Sequence, residues 1–320
     1  MVDLRIVFFG TPAFAVPSLE ALIGSRHRVV AVVSQPDRPK GRGHQLQPTA
    51  TKAVAQRHAL PVLQPHKIRD EAFLQQMRDL NTDLGVVVAF GRILPDALLA
   101  IPRLGMINVH ASVLPRYRGA APIQRAVLAG DAETGVTIMR VETELDAGPT
   151  FAVATTPIPP DATSGDMESV LATLGAELLL PVVDDLAAGR AIQTPQDHSQ
   201  ATFAPKITKE EGVIDWTEPA DRIHNRVRGL QPWPLASSHL EGTRVVLRKT
   251  LPHAPPDQGP YARISVSPGT VIATTGTEII VACGWNTQLR ILEIQPEGRR
   301  TMTVRELLAG RRVAEGARFS

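Results

Sequence analysis

Residues 84–89, Leu-Gly-Val-Val-Val-Ala, make an apolar run without a polar break. That is the pattern of a strand covered on both faces. Such a strand needs helices above and below it. Residues 4–9 and 29–34 read as further strands, ended by Gly10-Thr11-Pro12 and Gln35-Pro36. Residues 62–63 make a short one, and 106–109 and 136–140 two more. Residues 14–22, 49–58 and 71–80 have helical spacing. This alternation predicts an α/β fold on an open, mostly parallel, Rossmann-like sheet with right-handed crossovers. Ligands of such sheets bind beyond the carboxyl ends of the strands.

From about residue 206 the texture changes. Residues 243–248, 269–273, 278–282 and 288–294 are short, β-branched or alternating, and bounded by Gly, Pro and Asn. They predict a small β-barrel, preceded by a helix over 221–230. The proline-rich stretch 253–260 reads as an exposed loop. The expected domains are 1–189 and 207–320, joined by a polar linker over 190–206. Charge follows the division. Residues 1–205 hold 18 Lys and Arg against 20 Asp and Glu; residues 206–320 hold 16 against 12. The basic excess of the second part leaves room for an anionic partner.

The chain has one cysteine, Cys283, so it forms no internal disulfide and no multi-cysteine zinc site. The expected compartment is the reducing cytoplasm. No apolar run reaches about 18 residues, and the first residues lack the pattern of a secretory signal, so no membrane partner is expected. Several familiar sites are absent. Gly10 is not followed by a dinucleotide turn, and there is no Gly-Lys-Ser/Thr loop, His-Glu-x-x-His helix or Gly-x-Ser-x-Gly elbow.

Asn108-Val109-His110 ends a predicted strand, and residues two apart on a strand share a face. Some 36 residues later Leu145-Asp146-Ala147-Gly148 follows another strand. A carboxylate there is placed to fix the imidazole. Without metal or nucleophilic Ser or Cys, these groups suit direct acyl transfer between nitrogens. The NH2 of Asn108 and a protonated His110 can donate to the oxygen that gains charge. His110, or water held by Asp146, can relay the proton. A structural histidine and a turn aspartate have the same spacing, and spacing alone leaves that alternative open.

The segments Gly10-Thr11-Pro12, residues 35–43 (QPDRPKGRG), 88–95 (VAFGRILP), 108–124 (NVHASVLPRYRGAAPIQ), 130–138, 145–148, 214–216 (IDW) and 231–234 (QPWP) together resemble the methionyl-tRNA formyltransferases, a folate-dependent formyltransferase family. The resemblance spans nearly the whole chain. It implies transfer of a formyl group from 10-formyltetrahydrofolate, as co-substrate and without a metal, to the α-amino group of methionine on initiator tRNA. It puts Asn108, His110 and Asp146 at the catalytic positions. It puts Ser112, Val113, Leu114 and Pro115 in the folate-binding segment, with Phe90, Gly91, Arg92, Ile93 and Leu94 lining the pterin pocket. It makes the C-terminal barrel OB-like and tRNA-binding, and a monomer is expected. Four positions depart from the family pattern: Ala111 for Gly, Val113 for Leu, Tyr117 for Trp, and Pro149 for an acidic residue.

The resemblance sends the loop over 35–48 to the acceptor arm, through Arg38, Lys40 and above all Arg42, whose fork can grip a phosphate or base edge. Ordering such a loop is costly, so it is expected to be disordered or displaced without tRNA. In the second domain Lys206, Lys209, Arg222, Arg226, Arg228, Arg244, Arg248 and Lys249 are candidates for the tRNA backbone, and Trp233 reads as a packing anchor. Two rivals remain: a formyltransferase for a small amine, such as a nucleotide-sugar or glycinamide ribonucleotide, and a non-catalytic RNA-binding module.

Overall fold

A computed structural model describes residues 3–40, 45–253 and 266–320. Arg42 and the loop over 254–260 lie outside the described residues, as do their expected roles. The chain forms two compact units drawn from interleaved segments. The first comprises Met1–Pro122, Glu133–Pro157 and Glu168–Pro205, the second Ile123–Ala132, Ile158–Met167 and Lys206–Ser320.

In chain order the first part contains β1 (Arg5–Gly10), α1 (Val16–Ile23), β2 (Arg28–Val33), β3 (Arg38–Lys40), β4 (Gln45–Gln47), α2 (Ala50–Arg57), β5 (Val62–Leu63), α3 (Glu71–Asp79), β6 (Leu84–Val88), α4 (Asp96–Leu99), β7 (Met106–His110), β8 (Arg118–Gly119), α5 (Pro122–Ala129), β9 (Glu133–Arg140), β10 (Thr150–Pro157), α6 (Ser164–Ala187) and β11 (Phe203–Ala204). The main sheet runs β10-β9-β7-β6-β1-β2-β5. Its five strands from β7 to β5 are parallel; β9 and β10 add an antiparallel edge. As the apolar run predicts, β6 is buried along its whole length. The chain leaves β1 toward β2 and returns on its other side as β6. Sheets of this kind take their ligands at such a reversal, here the carboxyl ends of β1 and β6. Val7, Phe9, Val33, Phe73, Met77, Phe90 and Leu98 fill one core layer, with Phe9 and Phe90 edge to face at 5.5 Å. The Thr49 hydroxyl caps α2 by accepting from Lys52 N.

The second part continues with α7 (Ala220–Gly229), β12 (Ala236–Leu240), β13 (Thr243–His253), β14 (Val271–Thr274), β15 (Ile279–Ala282), β16 (Gln288–Pro296), β17 (Met302–Thr303) and α8 (Val304–Gly310). Its antiparallel sheet runs β12-β13-β16-β15-β14, with β17 on β16. The ladder does not close as the expected barrel does. Its two edges instead each meet the C-terminal residues through a single bridge, Leu240 to Phe319 and Thr270 to Arg318. Trp216 is the buried anchor here, donating from Nε1 to Ser238 Oγ at 2.9 Å and lying on Phe319. Trp233, expected in that role, is 55% exposed. Cys283 is buried, and burial pushes its thiol up to about 12, which keeps it out of thiolate chemistry. No helix among the described residues is long and apolar enough to cross a membrane.

His224 on α7 is buried between Thr250 Oγ1 and the Pro160 carbonyl. Burial holds its pKa below the ordinary value, with Arg228 adding to the shift and Asp161 opposing it. The folded state therefore binds this proton less readily than the unfolded chain. Stability from this residue is complete above the unfolded value, near 6.5, and is lost as pH falls below it. Thermal unfolding of the wild type should lose more Tm between pH 7 and 5 than His224→Gln. Equal losses would remove His224 from the acid response.

Candidate active site

β7 brings Asn108 and His110 to the carboxyl edge of the sheet on one face. Asn108 lies opposite Val87 of β6 and Met139 of β9, and His110 opposite Thr137. No other described residue hydrogen-bonds the half-exposed Asn108 carboxamide. Its NH2 is therefore free for a ligand. His110 is buried, with Nε2 2.9 Å from the Tyr117 carbonyl oxygen. A carbonyl only accepts, so Nε2 carries the hydrogen. Nδ1 faces Asp146 Oδ2 at 3.7 Å, beyond a direct hydrogen bond. Nδ1 is the ring nitrogen left to exchange a proton.

Asp146 lies between β9 and β10 with φ +49°. A non-glycine residue holds this left-handed conformation only where its surroundings enforce it. Its Oδ2 accepts from Gly119 N at 2.8 Å. Its carbonyl oxygen accepts from Gln196 Nε2 at 2.9 Å, and the Gly148 carbonyl accepts from the same nitrogen at 2.7 Å. At Gly148 an added Cβ would stand 2.2 Å from the Arg140 carbonyl oxygen. Tyr117 is also left-handed, at φ +61°, and its N–H donates to Thr202 Oγ1. Immediately after it, β8 pairs with β11. Residues 117–119 thus hold His110 through one carbonyl and Asp146 through one amide.

The segment after β6 borders the same edge. Ala89 at φ +47° and Gly91 at φ +78° turn the chain there. Phe90 is buried, and its carbonyl accepts from Gln35 Nε2 at 3.0 Å. Arg92 donates to the Pro65 and His66 carbonyls. Leu94 is buried, whereas Ile93 is 75% exposed. The main-chain groups of residues 91–94 form no hydrogen bond with other described residues. Thr143 Oγ1 donates to Asp96 Oδ1 at 2.7 Å, tying the Asp146 loop to α4. In the other predicted folate segment Ser112 and Leu114 turn inward. Ser112 Oγ donates to the Arg116 carbonyl, and Thr137 Oγ1 links the Ser112 carbonyl to Leu114 N. Val113 and Pro115 stay half-exposed.

Of the basic candidates, Arg38 is exposed, with one contact to Gln35 Oε1 at 3.4 Å. Asp37 beside it is bound by Lys52 and Gln64, and the Lys52 ammonium holds its carboxyl below the usual range. The Lys40 side chain lies outside the described atoms. Lys206, Lys209, Arg222, Arg244 and Lys249 are exposed, and Arg248 is half-exposed. Two candidates are corrected. Arg226 is bound to Glu218 and the Glu211 carbonyl, and buried Arg228 to Asn225 and the Pro159 and Ala162 carbonyls, so neither faces a phosphate.

A formyl transferase model matches residues 4–183, and a model of the formyl transferase C-terminal domain matches residues 206–312. The methionyl-tRNA formyltransferase of Pelobacter propionicus is 48% identical over 316 residues, 99% of this chain and 96% of that one. The enzyme of the same name from Methylococcus capsulatus is 48% identical over 307 residues, 95% of this chain and 96% of its own. The chain belongs to the methionyl-tRNA formyltransferase family. Among solved structures, an N-formyltransferase from Helicobacter canadensis, in complex with folinic acid and dTDP-3-aminofucose, matches with a TM-score of 0.67 and 16% identity over 90% of this chain and 98% of its own. HypX from Aquifex aeolicus, with tetrahydrofolic acid, matches with a TM-score of 0.63 and 17% identity over 96% of this chain. The chain spans about half of HypX, 47% of its length. These two likenesses show the fold.

Proposed function

We propose that the chain transfers the formyl group of 10-formyltetrahydrofolate to the α-amino group of methionine on initiator tRNA, and so serves translation initiation. The observation that carries this reading is the free Asn108 carboxamide beside an oriented imidazole and carboxylate, in a chain alike end to end to methionyl-tRNA formyltransferases. The segment after β6 fits the folate. The peptide groups of residues 91–94, unpaired among the described residues, offer donors and acceptors to a heteroaromatic edge, and Ile93 offers it an apolar face. When bound, the folate supplies a carbon at the formyl oxidation level.

The chain's own side chains do the rest. The Asn108 NH2 donates to the carbonyl oxygen as amine attack builds charge there. His110, its ring fixed by the Tyr117 carbonyl, takes up the amine's proton at Nδ1 and passes it to the leaving nitrogen of the folate as the bond from that nitrogen to the formyl carbon breaks. Asp146 Oδ2, 3.7 Å away, offsets the charge the ring then carries. The first unit, which includes residues 168–205, carries this chemistry, and residues 207–320 hold the tRNA. We assign contacts with the acceptor arm to Arg38, Lys40 and Arg42, and contacts with the tRNA backbone to Lys206, Lys209 and Arg248.

Neutralising about four phosphates gives a slope of log affinity against log salt of about −3. Filter binding of Met-tRNA between 50 and 200 mM salt reads it (about 60-fold weakening expected), and a flat response rejects the basic contacts. The function itself is tested by incubating the chain and 10-formyltetrahydrofolate with Met-tRNA, and in parallel with amino-sugar nucleotides and glycinamide ribonucleotide. Formyl-Met-tRNA is the expected product. Formylation of a small amine alone selects the first rival, and no turnover at all the second.

A further inference from the structure

We propose that Gln196 is a positioning residue for Asp146 and that Arg118 sets its orientation. The proposal rests on the catalytic reading of Asp146 given above. Gln196 lies in the stretch expected to be a linker, yet it is buried and its carboxamide is saturated. Nε2 donates to the carbonyl oxygens of Asp146 and Gly148. Oε1 accepts from Arg118 Nε at 3.2 Å and Nη2 at 2.8 Å. A guanidinium only donates, so it selects the amide oxygen and turns the NH2 toward the loop. Arg118 is 2% exposed and is itself fixed by His198 Nδ1 at 3.3 Å and Glu144 Oε1 at 3.5 Å.

The loop needs such a hold. Asp146 has φ +49°, a conformation that relaxes unless its peptide groups are pinned. Gln196 pins the carbonyls on both sides of Ala147, while Gly119, the residue after Arg118, pins the Asp146 carboxylate. The Gln196 side chain and the Gly119 amide thus fix the main chain and the side chain of Asp146. A displacement of about 1 Å at a reacting group can cost 100-fold in rate.

The test is Gln196→Glu in the full-length chain. The substitution keeps the shape and the acceptors for Arg118, but sets carboxylate lone pairs against two carbonyls. We expect kcat for Met-tRNA formylation to fall at least tenfold, with KM for both substrates within threefold. In an Asp146→Asn background the same change should cost less than twofold, because Gln196 acts through Asp146. An equal loss in both backgrounds, or no loss in the wild-type background, overturns the proposal. Should Gln196→Glu not fold, Arg118→Lys, which gives up the two-pronged grip on Oε1, must show the same dependence on Asp146 or the proposal falls. A wild type that forms no formyl-Met-tRNA overturns the functional reading and this proposal together. A wild type impaired by Asp146→Asn but indifferent to Gln196→Glu overturns this proposal alone.

Discussion

Asn108→Ala should reduce kcat for formylation of Met-tRNA by at least about 100-fold, the effect of removing one preorganised donor to a developing oxyanion, or about 2.7–4 kcal/mol of barrier. KM for tRNA and for the folate should change little, because the donor's bond strengthens as charge accumulates in the transition state. The fold should be indifferent, since no described residue depends on the Asn108 carboxamide. Single-turnover formylation with a thermal melt of the same preparation separates these readouts. A loss below tenfold with an unchanged melt would take Asn108 out of the oxyanion role.

Gly148→Ala should damage both rate and stability. The new methyl would lie 2.2 Å from the Arg140 carbonyl oxygen and 3.1 Å from its carbon. Arg140 cannot recede easily, because its N–H donates to the Pro149 carbonyl at 2.9 Å and its Nη1 to the Leu104 carbonyl. The loop must move instead, and the Gln196 bond to the Gly148 carbonyl goes with it. Overpacking of this kind costs about 1–3 kcal/mol in stability. A displaced Asp146 should lower kcat by about 100-fold. Gly310→Ala is the matched control, because nothing lies within 4 Å of a Cβ there. If Gly148→Ala melts and turns over like that control, the loop is not confined as described.

The α/β part was legible where burial left a pattern. The unbroken apolar run of β6 and the helical spacing of residues 49–58 gave strand and helix their places. The α6 helix (Ser164–Ala187) was not foreseen, because its second half is apolar on nearly every side and holds Pro181, so neither period stands out. β10 was missed as an edge strand whose Thr-rich sequence mixes with its turn. The pair Asn108 and His110 could be read from strand alternation. Their support could not, because the Tyr117 carbonyl and Gly119 amide leave no mark in side-chain chemistry. Gln196 was concealed by its polar surroundings, which look the same whether a stretch is solvated or folded against a loop. Trp233 misled because a tryptophan between prolines suggests burial, whereas Trp216 fills the core.

The bond from His110 Nε2 to Tyr117 is made by the main chain. What must persist at position 117 is therefore a torsion angle and the direction of a carbonyl, not a phenol. A tyrosine or a tryptophan that keeps this torsion delivers the same acceptor. Divergence can change that side chain, at the cost of its contacts to Arg116, while the imidazole behind it keeps its tautomer.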